Sequence, residues 1–162
     1  MKYLILILIF SISFINATTK NNTDKIIWQD NLNDSKELAK KFNKPLFIFM
    51  ESRRCYYCPI MKEKTFTDKG IIKTINDNFI PVILDNSTGS ESDVENTGHA
   101  PERLTLSLTP AIYIMGPDEE KLLRKGTKHM IIYGMWSAKD LKVWLFNGKK
   151  KFKKLYGEKY AK

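Results

Sequence analysis

The chain has 162 residues, of which 43% are hydrophobic, 12% aromatic and 28% charged. This composition is that of a globular protein, and the length predicts one domain that buries a core without needing disulfides or metal ions to hold it together. The formal net charge at pH 7 is +9. Which acidic partners such a basic protein can bind depends on where the positive residues lie and on the compartment in which the protein works.

Residues 1–17, MKYLILILIFSISFINA, differ in composition from the rest of the chain. They contain one lysine, an apolar run from Tyr3 to Ile15, and Ala17 at the end. This layout predicts a secretory signal peptide that is cleaved after Ala17, followed by a flexible lead-in over residues 18–25. The alternative is an uncleaved anchor, but the run is short for a membrane span, so we expect no stable membrane insertion after cleavage.

Export determines how the two cysteines of the chain are interpreted. Lysine, asparagine and isoleucine are abundant, which suggests an AT-rich bacterial genome and therefore the periplasm as the destination. In an oxidising compartment a dithiol becomes a disulfide unless another molecule keeps it reduced.

The first elements of the domain follow the lead-in. Ile26–Trp28 is interpreted as a short strand or a packed entry segment. Asp34, followed three residues later by Glu37, has the capping-box pattern and predicts a helix that ends at about Phe42. Leu46–Met50 is a continuous apolar run, which predicts a strand buried on both faces.

The middle of the chain predicts two further helices and a second strand. Pro59–Phe66 forms the first helix, since proline is tolerated in a first turn. A further helix covers Gly70–Asn76, and Phe79–Asp85 is the second strand. The polar residues 86–100 form a surface insertion, and a short helix covers Pro101–Leu108.

The last elements are two strands and a helix. Ala111–Met115 is the third strand, and Lys121–Arg124 returns beside it as the fourth strand of a hairpin. Ser137 and Asp140 form a capping box that opens the final helix. The order predicts an α/β domain over residues 26–148, with a central mixed β-sheet flanked by helices.

The basic residues at the end of the chain form a tail over residues 149–162. A basic tail can bind anionic lipid or nucleic acid. We expect instead a solvated, partly helical terminus, and export argues further against nucleic acid as a partner.

The two cysteines are Cys55 and Cys58, in the stretch RRCYYCPIM. A strand that leads into CxxC and then into a helix places Cys55 at the helix N-terminus, where unpaired amides and the helix dipole favour a thiolate. Cys58 lies one turn further in. This asymmetry suits thiol–disulfide exchange, with Cys55 as the nucleophile and Cys58 as the resolving thiol.

Two other interpretations of the cysteine pair are weaker. Structural zinc requires four ligands, and the only histidines, His99 and His129, lie far along the chain and are not paired with each other. A purely structural disulfide would close a tiny loop and constrain the unfolded chain little. We therefore expect no metal and no cofactor.

The ordered set of these features resembles the thioredoxin superfamily over residues 26–147. The set consists of the buried strand, CYYC at a helix start, Thr109-Pro110 before the third strand, the hairpin, and Ile132–Gly134 before the final helix. The resemblance implies a thioredoxin fold. More narrowly, the segment from Lys44 to Asp85 resembles exported thioredoxin-like proteins of the SoxW type and the periplasmic C-terminal domain of DsbD. The matching positions there are Met61, Thr65-Phe66 and Asp85.

The resemblance implies further site residues. Pro110 should be a cis-proline beside the active-site disulfide, with Thr109 before it, and a cis peptide turns the backbone so that it can pair with an extended substrate. Members of the superfamily commonly carry a buried acid six residues before the first cysteine, where this chain has Phe49. Glu51 is the nearest acid, but strands alternate faces, so we do not expect it to substitute fully in proton transfer.

The residues between the cysteines are Tyr56 and Tyr57, in place of smaller residues or a Gly-Pro pair. They enlarge the apolar rim beside Cys55. One interpretation is that they pack over the helix start, and the other is that at least one contacts the protein substrate.

Taken together, these features predict a monomeric, periplasmic thiol–disulfide oxidoreductase of the reductase type. Its partners would be protein disulfide substrates and a periplasmic thiol that donates electrons. The reductase direction follows from the resemblance. The alternatives are a disulfide oxidase or isomerase, and a redox-inert thioredoxin-fold module that binds client proteins.

Overall fold

The computed structural model describes residues 23–86, 108–118 and 130–157. The predicted signal peptide, most of the insertion at 86–100, nearly all of the predicted helix at 101–108, His99 and His129 lie outside these residues. In the described part of the chain, no helix combines the length and the apolar character that a bilayer span requires.

The described residues form four helices and four strands. In chain order they are α1 (Leu32–Phe42), β1 (Leu46–Glu51), α2 (Tyr57–Lys64), α3 (Lys69–Asn78), β2 (Ile80–Asp85), β3 (Ala111–Met115), β4 (Met130–Tyr133) and α4 (Ala138–Tyr156).

The strands form one mixed sheet in the order β2-β1-β3-β4. β1 is parallel to β2 and antiparallel to β3, and β3 is antiparallel to β4. Because β1 lies inside the sheet and helices cover both faces, its side chains are buried on both sides. The predicted α/β class and central mixed sheet are therefore confirmed.

Each face of the sheet has its own apolar core. α1 covers one face, where Leu32 and Ala39 pack against Ile48 and Met50 of β1. We call the other the disulfide-side core; it includes residues from β1, α2, α3, β3, β4 and α4, among them Phe47, Phe49, Cys55, Cys58, Met61, Phe66, Ile71, Ile75, Ile112, Ile114, Ile132, Leu141, Trp144 and Phe152.

Several helix starts follow from local hydrogen bonds. The side chain of Asp68 accepts a hydrogen bond from the backbone N–H of Ile71 at the start of α3, and Ser137 accepts one from Asp140 at the start of α4. The predicted cap of α1 was three residues late: Asn31 is the cap and accepts from the N–H of Asp34, so Asp34 lies in the first turn.

The strand beside β3 differs from the prediction. We expected Lys121–Arg124 to form a hairpin with Ala111–Met115, but β3 pairs with β1 on one edge and with Met130–Tyr133 on the other. Both edges of β3 are therefore occupied, so the antiparallel partner of β3 is Met130–Tyr133 and not the segment that we expected. Residues 121–124 themselves lie outside the described part of the chain.

The final helix is longer than the sequence indicated. α4 continues to Tyr156, past residue 148 where we expected the basic tail to begin. The rings of Phe152 and Tyr156 stack at a centroid distance of 4.6 Å and are buried. Tyr156 also donates a hydrogen bond to Asp118 at 2.6 Å. The lysine-rich start of the predicted tail is thus the outer face of a packed helix.

α4 lies very close to the sheet at Gly148. A Cβ added there would lie 2.3 Å from Cδ1 of Ile114 on β3. The absence of a side chain therefore allows the helix to approach the strand.

We predict that Gly148→Ala destabilises the fold by about 1–2 kcal/mol, because overpacking costs more than the gain in helix propensity returns. Ile114→Val removes the clashing methyl group and alone should cost about 0.5–1.5 kcal/mol. The double variant should lose less than the sum of the two, by at least about 0.5 kcal/mol. Urea unfolding of the four proteins measures this, and a Gly148→Ala variant as stable as the parent would contradict it.

Candidate active site

The two cysteines lie where β1 leaves the sheet. After Glu51 the chain makes a tight turn in which the N–H of Cys55 donates to the carbonyl of Ser52 at 3.1 Å. α2 begins two residues after Cys55. The central strand therefore delivers the first cysteine to the start of a helix, as the sequence predicted.

Cys55 and Cys58 form a disulfide with a Cα–Cα distance of 5.4 Å. The backbone N–H of Cys58 also donates to Sγ of Cys55 at 3.1 Å. In the reduced protein this amide is placed to stabilise a thiolate on Cys55. Cys55 is 8% exposed and Cys58 only 2%, so Cys55 is the more exposed residue of the pair.

A second segment reaches the same end of the sheet. The Thr109–Pro110 peptide bond is cis, and Pro110 precedes β3, whose first residue pairs with Met50 near the end of β1. Oγ of Ser52 and Oγ1 of Thr109 share a hydrogen bond of 2.9 Å. This contact joins the turn before Cys55 to the residue before Pro110, and the carbonyl of Pro110 accepts from the N–H of Gly134 at 2.8 Å.

The base of the site is aromatic. The rings of Phe49 and Phe66 pack edge to face at a centroid distance of 5.0 Å, and Trp28 lies 5.4 Å from Phe66 and 6.1 Å from Phe49. All three belong to or pack against the disulfide-side core that also contains both cysteines. The position at which the superfamily commonly has an acid is therefore filled by a ring in an apolar cluster.

Glu51 lies on the same side of the sheet as Phe49. We expected the alternation of the strand to weaken it as a substitute acid, but two residues along a strand return to the same face. The ion pair between Oε2 of Glu51 and Nζ of Lys62, at 2.5 Å, agrees with this placement because Lys62 belongs to α2. Glu51 is therefore at the edge of the face that carries the cysteines.

The two tyrosines project into solvent. Tyr56 is 75% exposed and Tyr57 50% exposed, and their rings contact each other edge to face at 5.2 Å. Met61, by contrast, is fully buried. The tyrosines form an open aromatic surface between the cysteines.

Two contributors to the site were not found from the sequence. Ser52 has no motif around it, and its partner Thr109 is 57 positions away. Lys62 lies in α2, the element that follows the strand of Glu51, and no spacing rule pairs residues across a turn of this kind. The described residues contain no group of three or more histidine, cysteine, aspartate or glutamate side chains that could hold a metal ion.

A buried strand that ends in a CxxC disulfide at a helix start, within a mixed sheet covered by helices, defines a thioredoxin fold. A family model described as Thioredoxin-like matches residues 27–117, more than half of the chain. The protein therefore belongs to this family. The family and the CxxC disulfide together support a role of the thiol–disulfide oxidoreductase type.

The first of two similar solved structures agrees with the fold. The solution structure of a thioredoxin from Thermus thermophilus is similar with a TM-score of 0.61 and 13% identity, covering 85% of this chain and 98% of that one. The oxidised C-terminal domain of DsbD from Neisseria meningitidis is similar with a TM-score of 0.49 and 12% identity, covering 72% of this chain and 89% of that one.

Curated relatives match shorter parts of the chain. Spermatogenesis-associated protein 20 of Mus musculus is 36% identical over 55 residues, which are 34% of this chain and 7% of that protein. Uncharacterized protein B0495.5 of Caenorhabditis elegans is 28% identical over 82 residues, which are 46% of this chain and 11% of that protein. The chain thus corresponds to a small part of each of these relatives.

Proposed function

We propose that this protein is a periplasmic protein-disulfide reductase that acts on exported proteins through its CxxC dithiol. The observation that carries the proposal is the inequality of the two sulfurs. Cys55 is the more exposed and accepts the amide hydrogen of Cys58, while Cys58 is almost completely buried. One sulfur is thereby suited to attack and the other to resolve.

The exchange proceeds in two balanced steps. The thiolate of Cys55 attacks one sulfur of a client disulfide; that bond breaks, a mixed disulfide forms, and the second client sulfur leaves as a thiolate that takes up a proton. Cys58 then loses its proton and attacks the Cys55 sulfur, so the Cys55–Cys58 disulfide forms and the first client sulfur leaves. The client gains two electrons, and a periplasmic dithiol donor returns them to the protein by the same exchange.

Four residues around the disulfide are proposed to bind the client. Thr109 and Pro110 directly precede β3 and lie next to the turn that carries Cys55, where a backbone segment can pair with an extended chain. Tyr56 and Tyr57 offer exposed rings on the adjacent side. Aromatic side chains with one polar end are favourable contacts at protein interfaces.

The exchange mechanism predicts that Cys58→Ser accumulates mixed disulfides with client proteins, since Cys55 can attack but nothing resolves the adduct. Non-reducing electrophoresis of periplasmic extracts measures the adducts. Cys55→Ser is the matched control and should trap far less, because the buried Cys58 is a poor first nucleophile.

Failure to trap clients with Cys58→Ser, together with no reduction of insulin disulfides by the parent protein, would instead favour the redox-inert client-binding module. No observation on the described residues favours that module at present.

The direction of electron flow is tested by the reduction potential of the Cys55–Cys58 couple, measured by equilibration with glutathione. A reductase should have a reduction potential of about −270 mV or lower. A value near about −120 mV would identify an oxidant and overturn the reductase proposal while leaving the exchange chemistry intact.

Glu51 is proposed to take the proton of Cys58, through water, when the mixed disulfide is resolved. We predict that Glu51→Gln slows resolution by about tenfold or more, because the variant lacks the carboxylate that accepts the proton of Cys58. Stopped-flow measurement of client release follows this step.

Glu63→Gln is the control for this variant. Glu63 is an exposed carboxylate of α2 that forms no pair with Lys62, and its loss should leave the rate of client release unchanged. An unchanged rate in Glu51→Gln would contradict the role of Glu51 and leave water as the acceptor.

A further inference from the structure

Two arginines occupy the tip of the turn that leads to the disulfide. The hydrogen bond from the N–H of Cys55 to the carbonyl of Ser52 closes this turn, so Arg53 and Arg54 are its two central residues. Both side chains are exposed. Arg54 is adjacent in sequence to the cysteine that is proposed to attack the client.

The turn itself does not require arginine. Tight turns favour glycine, proline, asparagine, aspartate or serine, each for a backbone or local hydrogen-bonding reason that arginine does not provide. Within residues 23–86, 108–118 and 130–157, neither Arg53 nor Arg54 forms an ion pair. The turn that leads to the disulfide therefore carries two exposed guanidinium groups whose hydrogen-bond donors are available to a partner.

The acids near this turn do not neutralise it. Glu51 is paired with Lys62, and Asp85, its neighbour on β2, has an interaction of its own. Glu63 follows Cys58 by five residues, which places it about 7.5 Å further along the axis of α2. The described surface at the mouth of the disulfide is consequently positive.

We infer that Arg53 and Arg54 select client polypeptides in which acidic residues flank the disulfide. The inference rests on the proposed function and adds the substrate class. A guanidinium group holds a carboxylate by two parallel hydrogen bonds, which gives direction as well as charge. The net charge of +9 acts in the same sense at longer range, since it steers acidic partners towards the protein.

The arginines also have an effect that is independent of the client. Positive charge beside Cys55 favours its thiolate and changes its reactivity towards every disulfide alike. The ratio of rates with two clients cancels this common effect. Selectivity, rather than absolute rate, is therefore the quantity that reports on client recognition.

The test uses three synthetic peptides, each with one intramolecular disulfide and the same sequence except that the residues next to the cysteines are aspartate, asparagine or lysine. The reduced full-length protein is mixed with each peptide in single-turnover experiments. We expect the acidic peptide to react about tenfold faster than the basic one at low ionic strength. The ratio should fall towards one in high salt because exposed charges are screened.

Three variants locate the effect. Arg53→Gln/Arg54→Gln should bring the ratio of acidic to basic peptide close to one, and Arg53→Glu/Arg54→Glu should reverse it. Lys150→Glu/Lys154→Glu makes the same change in net charge as Arg53→Glu/Arg54→Glu. It places that change on the exposed face of α4, whose C-terminal part packs at the opposite end of the sheet from Cys55. This control should keep most of the parent ratio.

The outcomes separate this inference from the function on which it rests. Equal rates with all three peptides, or a ratio that the lysine variant changes as much as the arginine variant does, would overturn the selection by Arg53 and Arg54 and leave the exchange activity standing. No reaction with any peptide would overturn the proposed function, and the client class with it.

Discussion

The packing of Phe49 against Phe66 is the interaction on which the site is built. Phe49 belongs to the central strand and Phe66 follows α2, so their contact holds the helix over the end of the strand from which the disulfide emerges. Trp28, from the entry segment, packs against both rings and closes the cluster. Buried aromatic pairs of this kind stabilise by about 0.5–1.5 kcal/mol each beyond the burial of their area, which makes the position of α2 a property of the core.

This aromatic cluster lies on the apolar side of the site, opposite the side that carries the charged residues. Beneath the sulfurs the neighbours are apolar, so the hydrogen bond from the N–H of Cys58 to Cys55 acts with little competition from water. The charged and polar groups lie around the opening: the arginine turn, the pair of Glu51 with Lys62, and the hydroxyl contact of Ser52. In such an arrangement the core sets the reactivity of the sulfurs, whereas the rim can vary to suit different clients without disturbing the fold.

The structural features that follow from local physical rules were predicted from the sequence. Leu46–Met50 reads as a buried strand because its apolar run is unbroken, and Ser137 marks the start of α4 because its side chain caps the first turn. Features that depend on distant contacts were missed or wrong. The partner strand of β3 was placed too early, and the length of α4 was hidden by lysines whose helix is anchored by Phe152 and Tyr156. The ion pair of Glu51 with Lys62 joins two elements and could not be read from the sequence.

The aromatic base also restricts the mutational paths open to this protein. A carboxylate at position 49 would enter a cavity shaped for a ring, where the neighbouring side chains of Trp28 and Phe66 offer a single hydrogen-bond donor between them, the indole N–H of Trp28. The free energy of burying such a charge unpaired is large. A single substitution of Phe49 by an acidic residue therefore lowers the free energy of unfolding, and an internal acid can be acquired only together with changes in the neighbouring rings. Substitutions at Phe49 therefore depend on the residues around it, and groups that transfer protons can be gained one substitution at a time only at the margin of the site.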